Sequence, residues 1–237
     1  MNQDNFNSYK QSIEFLLQAV DYEKLTNYTY DASNFNLKRM EKLLSAIGNP
    51  HKRGTYVHIT GTKGKGSTAI MIASALKESG LKTGLFTSPH LVSLGERMKV
   101  NDEMISQEML IQLVNELKPY IERERLREIT HSPTFFDTIT AIALTYFERK
   151  KVDISVLEVG MGGRLDSTNV VLPQISIITP IGYDHTDTLG HTLEKIAYEK
   201  SGIIKERIPV VSSIQEHEAL SIISKTCKEK KASLRLV

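Results

Sequence analysis

At 237 residues the chain can bury a sizeable core, as one large domain or two small ones, and its 40% hydrophobic and 24% charged residues are ordinary for a globular protein. A net charge of +2 is too small for a general nucleic-acid binder, and one cysteine, Cys227, excludes a disulfide framework and a multi-cysteine zinc site. No 18-residue apolar run and no signal-peptide core follows the polar start MNQDNFNSYK, so the chain reads as cytoplasmic, without a membrane partner.

Residues 1–50 read as helical. One pattern covers Ile13, Phe15, Leu16 and Leu17. A second starts near Ser33, with Phe35, Leu37, Met40, Leu43, Leu44 and Ile47 at helical spacing and Gly48 as its stop. The strand Tyr56–Thr60, a glycine turn, a helix from Ser67 to Ser79 ended by Gly80, and the strand "KTGLFT" at 82–87 make a βαβ unit.

The segment from Pro89 to Asp102 lacks periodicity and reads as a long functional loop. Helices are expected at 106–125 and 134–149, the first kinked or broken at Pro119. The second opens with a Thr134-x-x-Asp137 capping box over an apolar face of Ile139, Ile142, Ala143, Tyr146 and Phe147. On residue type alone Phe135 and Phe136 read as core. Apolar strands at 152–159 and 174–180 follow, then a helix at 192–200, a strand at 209–212, a helix at 216–230 and the strand-like "SLRLV". Cys227 lies in that last, lysine-rich helix, whose "KEKK" at 228–231 reads as a solvated face.

Short apolar strands alternating with amphipathic helices imply an α/β fold, a mostly parallel sheet flanked by helices. Ligands in such folds sit beyond the carboxyl ends of the strands. Lys65 follows the first strand, Ser88 the second, Glu158 ends "ISVLE", and His185 follows "ISIITP". Four such residues at four strand ends make a site.

The turn in "VHITGTKGKGSTAI" can aim backbone N–H groups and a helix N-terminus at a phosphate, with Lys65 to neutralise its oxygens. The common pattern G-x-x-x-x-G-K-[ST] fails at both ends: Ile59 replaces the first glycine, and Gly66 takes the hydroxyl position, with Ser67 one place later. Glu158, ending an apolar strand, needs a cation or donors; magnesium shared with nucleotide phosphates is one solution and pairing with Arg164 the other. By residue type alone Ser88 reads as a turn residue, His90 as a loop histidine, and His185, between Asp184 and Asp187, as a ligand or a satisfied cap. Lys200, near a helix end, reads as solvated.

Taken together, "GTKGKGS", "TSPHL", "ERM", "PTFFD", "LEVGMGGRLDSTN", "DHTDTLG" and "EKSGIIK" resemble, in order, the folylpolyglutamate synthase/dihydrofolate synthase family of the Mur ligase superfamily. The resemblance runs from the second helix to near residue 212, and the family's phosphate loop has the same displaced hydroxyl. It implies a Mur-ligase-like ATPase domain spanning 1–237, incomplete at its C-terminus, with a helical N-terminal segment at 1–50.

The implied activity is ATP-dependent ligation of L-glutamate to a folate or dihydropteroate through an acyl phosphate, by a monomer. Gly61, Thr62, Lys63, Gly64, Lys65, Gly66 and Ser67 would surround the ATP phosphates. Ser88, Glu158 and His185 match magnesium ligands, and Lys65, His185 and Lys200 catalytic positions, Lys200 as a carbamate. An unmodified Lys200 amine beside bound metal and nucleotide would count against the carbamate. Thr134, Phe135, Phe136, Asp137, Leu165, Asp166 and Ser167 match segments contacting the pterin, and the 89–102 loop would cover it. The family usually has Glu at the position of Asp137.

Family members continue for roughly another domain, ~150–200 residues. The resemblance therefore implies that 1–237 alone has little or no ligase turnover, its C-terminal domain being absent. A muramyl-type amino-acid ligase is the alternative, but only ~55 residues precede the phosphate loop, too few for the separate domain of that class. A nucleotide-binding module without catalysis is the other.

Overall fold

The computed structural model describes residues 6–23, 35–127, 132–184 and 186–237. Two short helices, α1 (Tyr9–Leu17) and α2 (Leu37–Ala46), lead into β1 (Tyr56–Thr60), α3 (Lys65–Glu78) and β2 (Thr83–Phe86). The side chain of Asn36 caps α2 by accepting the Lys38 N–H at 3.0 Å; Ser33, near which the sequence placed a helix start, lies outside the described residues. Gly48 at φ +84° and Gly80 at φ +88° end α2 and α3 in the left-handed region, as read from the sequence.

The stretch read as a loop from 89 to 102 contains regular structure. A 3₁₀ turn (Leu94–Arg97) leads into β3 (Met98–Val100), and β4 (Glu103–Met104) follows. β3 runs antiparallel to β2 and β4 antiparallel to β3, so the sheet ends in a small meander. Strands of three and two residues are too short to establish a period.

α4 (Gln107–Arg127) runs through Pro119 without breaking. Its buried stripe of Leu110, Leu113, Val114, Leu117 and Ile121 packs on α1, α2 and α5, and that burial outweighs one missing backbone bond. α5 (Phe135–Lys150) opens with the expected capping box: Thr134 Oγ1 accepts the Asp137 N–H at 3.0 Å, and Asp137 accepts the Thr134 N–H at 2.9 Å. Then come β5 (Ile154–Glu158), a 3₁₀ turn (Ser167–Val170), β6 (Ile175–Ile178), the four-residue α6 (Thr186–Leu189), α7 (Leu193–Ser201), β7 (Val210–Ser212), α8 (His217–Glu229) and β8 (Leu234–Leu236).

The sheet order is β4-β3-β2-β5-β1-β6-β7-β8, and from β2 to β8 every pair is parallel. Alternation sends Val57 and Ile59 to the face that α3 covers, with Val156 and Leu85. Tyr56 points the other way, into the core under α1, α2, α4 and α5. Ile178 pairs with Thr60 and so shares that second face, where it joins a separate core with α7 and α8. Between the two cores the sheet presents the buried polar side chains His58 and Ser176, paired in register. β1 is thus central, and the carboxyl ends of β1, β2, β5 and β6 open on one edge, where the site is expected.

Among the described residues no helix is long and apolar enough to cross a membrane. Cys227 is buried, its thiol pushed up to about 11 by burial, so it is no activated nucleophile.

Candidate active site

The glycine turn after β1 is tied down on one side and open on the other. The N–H groups of Thr62 and Lys63 donate to Pro180 O at 2.9 and 3.3 Å, and Thr62 Oγ1 donates to Gly182 O at 3.1 Å. Gly61, at φ +147°, abuts Thr179: an added Cβ would lie 1.9 Å from its Oγ1. Gly64, at φ +80°, takes the N-cap of α3 without a side-chain bond. The first intrahelical bond runs from Thr68 N–H to Gly64 O, so the N–H groups of Lys65, Gly66 and Ser67 have no intrahelical acceptor. Those three, with the helix dipole and the Lys65 side chain, offer the donors and positive charge that suit an anion.

Beneath this turn lies Glu158, 4% exposed at the end of β5. Its Oε2 accepts the Ser88 N–H at 3.1 Å, joining the ends of β2 and β5. A Cβ on Gly66 would come within 3.4 and 3.5 Å of the two carboxylate oxygens, so glycine lets the helix start settle onto the acid. Burial raises the Glu158 carboxyl above its usual range, Asp166 adds to this, and the Ser88 N–H, Lys65 and Arg97 oppose it. A buried carboxylate with spare lone pairs beside a phosphate turn suits a magnesium ion. Arg164 does not serve Glu158; it forms a two-pronged pair with Glu199, at 3.0 and 2.9 Å. His185 and the Asp187 side chain lie outside the described residues. Among those described, no group of three or more His, Cys, Asp or Glu side chains is gathered for a metal.

Lys200 is only 4% exposed, contrary to the solvated side chain expected of a helix end. α7 lies against the glycine loop after β5, and Nζ donates to Gly61 O at 2.7 Å. Burial, and then the nearby Lys65, lower its pKa to about 7 against the pull of Asp184 and Asp166. Between that value and the unfolded 10.5 the unfolded chain holds the extra proton, so the native state gains stability as pH rises through this window. Relative to Lys200→Met, the wild-type chain is expected to gain up to about 1.4 kcal/mol per pH unit from pH 7 toward 10. Urea unfolding of both proteins at pH 6, 8 and 10 reads this; parallel curves would mean an amine that titrates normally.

A cavity of about 350 Å³ adjoins the glycine turn. Its wall includes Lys65 and Ser88, which it shares with the turn and with Glu158, and Thr134, Phe136, Asp137, Leu165, Asp166 and Ser167 of the expected substrate segments. Phe135 is not in this wall: 3% exposed, it packs in the core with the Arg97 guanidinium 5.5 Å from its ring. Of the 89–102 segment only Pro89 reaches the cavity. Leu91 and Val92 are 92% and 90% exposed, on a loop whose N–H groups are gathered by Glu96.

Gly160 and Met161 add to it from the loop after β5, and the N-terminal part supplies Tyr22, Glu23, Phe35, Asn36 and Arg39. Arg39 Nε donates to Asp137 Oδ2 at 2.7 Å, and Ser167 Oγ donates to Oδ1 at 2.6 Å, so the Asp137 carboxylate ties α2, α5 and the turn after β5 together. Glu23 receives the buried Arg97 at 2.8 and 2.6 Å, and Arg97 Nε donates to His90 Nδ1 at 2.7 Å, which makes His90 more than a loop histidine. One signal for Arg39 was present: a cation on the apolar side of an amphipathic helix, beside Met40 and Leu43.

A family model described as the Mur ligase middle domain matches residues 59–232. The chain is 44% identical over 207 residues to a dihydrofolate synthase/folylpolyglutamate synthase of Bacillus subtilis, covering 85% of this chain and 48% of that one. It is 42% identical over 187 residues to a folylpolyglutamate synthase of Lacticaseibacillus casei, covering 79% and 44%. In three dimensions it superposes on a folylpolyglutamate synthase from Thermotoga maritima with TM-score 0.83, 38% identity, and coverage of 96% and 49%. A structure described as an FPGS–AMPPCP–folate complex gives TM-score 0.86, 35% identity, and coverage of 97% and 54%. The chain spans about half the length of these proteins. With the glycine turn, the acid beneath it and the adjoining cavity all within or beside the matched span, this chain belongs to the Mur ligase family, as a protein built on its middle domain.

Proposed function

We propose that the chain is the ATP-binding part of a cytoplasmic, monomeric ligase that joins L-glutamate to a folate or dihydropteroate. The observation that carries this reading is the continuity of the two half-sites: Lys65 and Ser88 belong both to the phosphate turn with its acid and to the cavity wall. A phosphoryl group at the helix start would therefore meet a carboxylate presented from the cavity. The substrate carboxylate oxygen attacks the γ-phosphorus and ADP leaves. The glutamate amine then attacks the acyl carbon, loses a proton, and inorganic phosphate departs with that oxygen. Activation is needed because a free carboxylate is a poor electrophile.

In this reading Gly64, Lys65, Gly66 and Ser67 hold the phosphates, and Gly61 to Lys63 brace the turn. Phe136, Leu165 and Met161 offer apolar surface to a flat ring, while Thr134, Asp137, Asp166 and Ser167 border it. Glu158 and Ser88, with His185, would hold magnesium, which supplies charge neutralisation at the phosphates. The buried Lys200 amine, its pKa lowered to about 7 and so in part neutral near that pH, can add carbon dioxide and lose a proton, becoming an anionic carbamate. The domain assignment of 1–237, with helices at its N-terminus, is part of the same reading.

The test is glutamate-dependent ADP release by the complete gene product with dihydropteroate, with a reduced folate, and with a nucleotide-linked muramyl substrate. Either of the first two is expected to stimulate release, more so with bicarbonate, and Lys200→Met to remove the bicarbonate effect. Stimulation by the muramyl substrate alone would overturn the folate assignment, and an unchanged bicarbonate response the carbamate.

A further inference from the structure

The seam between the two cores on one face of the sheet contains a buried polar chain. His58, fully buried in β1, has Nε2 at 2.8 Å from Thr168 Oγ1. Thr168, also fully buried, donates its hydroxyl to Asp166 Oδ1 in a short contact and its N–H to the same oxygen at 2.9 Å. Asp166 Oδ2 accepts the Met161 N–H at 3.0 Å, and this residue forms part of the cavity wall.

A hydroxyl has one proton to give. Burial raises the Asp166 carboxyl to about 6; above that pH it can only accept, Thr168 gives its proton to it, and a bond to His58 exists only if Nε2 carries a proton. Burial, with Lys205 adding to it, keeps the ring neutral by lowering its pKa to about 3. Nδ1 is therefore bare. It has no hydrogen-bond partner among the described residues, and a bare acceptor is less costly there than an orphaned N–H.

We infer that His58 is a positioning residue: its Nε2–H, relayed by Thr168, fixes Asp166 as a hydrogen-bond acceptor in the cavity wall. The direction of the chain is set at its buried end. Without the imidazole donor, the Thr168 oxygen lacks its partner and the hydroxyl is free to turn from Asp166. Asp166 then loses one of the bonds that orient it. This inference rests on the proposed function only for the choice of cavity ligand.

Two measurements on the chain test it separately. In the first, nitrogen-15 spectra of histidine-labelled protein, with His58 assigned by its absence in His58→Gln, should contain one neutral Nε2–H ring at pH 7–8, above the value of about 6 to which burial raises the Asp166 carboxyl. An Nδ1–H tautomer or an imidazolium would overturn the inference, whatever the protein binds. In the second, dihydropteroate binding is compared in wild type, His58→Phe, His58→Gln and Thr168→Val, with a nonhydrolysable ATP analogue as control. His58→Phe and Thr168→Val should weaken dihydropteroate binding on the order of 10-fold and leave the analogue within about twofold, and His58→Gln, which keeps an N–H donor, should recover most of the loss. Unchanged dihydropteroate affinity in folded His58→Phe, or equal losses for both ligands, would overturn the positioning role. A wild-type chain that binds no dihydropteroate would count against the proposed substrate, while the spectra still decide His58.

Discussion

Replacing Lys65 with alanine is expected to weaken binding of a nonhydrolysable ATP analogue by roughly 10- to 150-fold, the equivalent of one charge-assisted hydrogen bond worth about 1.5–3 kcal/mol. The helix N–H groups would remain, so binding should fall without vanishing. Lys65 also opposes the burial that raises the Glu158 carboxyl. Its loss should raise that carboxyl further. A folded-state pKa above the unfolded value means stability is lost as pH rises through the interval between them, so Lys65→Ala should extend that loss to higher pH. Analogue titration at pH 7.5 and urea midpoints at pH 5 and 7 check both parts. Unaltered analogue affinity would remove the phosphate assignment of the turn.

The second large effect is on folding. Arg39 and Asp137 have side chains only 7% and 3% exposed, and their contact joins residues 98 positions apart. Arg39→Ala leaves the carboxylate buried without its cation, and the expected loss is about 3–5 kcal/mol. That is a large share of a domain stability of about 5–15 kcal/mol. The bonds from Ser167 and the Thr134 N–H hold the loss toward the lower end. The paired change Arg39→Met with Asp137→Leu removes both charges at similar volume and should cost much less than the single change. Denaturant midpoints of the two variants decide it: equal losses would mean that packing, not the ion pair, accounts for the effect. Loosening α2 should also weaken any ligand of the cavity, because Phe35, Asn36 and Arg39 are in its wall.

Much of this site could be read along the chain because its signals are local. The Thr134–Asp137 box and the stops at Gly48 and Gly80 depend on neighbours within a turn of helix, and each is present. The placement of Lys65, Ser88 and Glu158 at one edge followed from parallel strands, whose carboxyl ends lie together by construction. The meander β3–β4 escaped because its strands are too short to show a period. Arg39 escaped because an arginine in an amphipathic helix is ordinarily solvent-facing.

By itself, then, the sequence determined the main alternation of strands and helices, the Thr134–Asp137 cap and the glycine stops, and the edge of the sheet where a phosphate would be held. Only the tertiary structure decided which charged and polar groups are deprived of water. Lys200 meets the Gly61 carbonyl from 139 residues away, and His58 meets Thr168 from 110. The physical reason is that desolvation belongs to a place rather than to a residue. A lysine, arginine or histidine has the same local preferences whether its neighbours turn out to be solvent or packed chain, and those neighbours arrive only when distant segments close over the sheet.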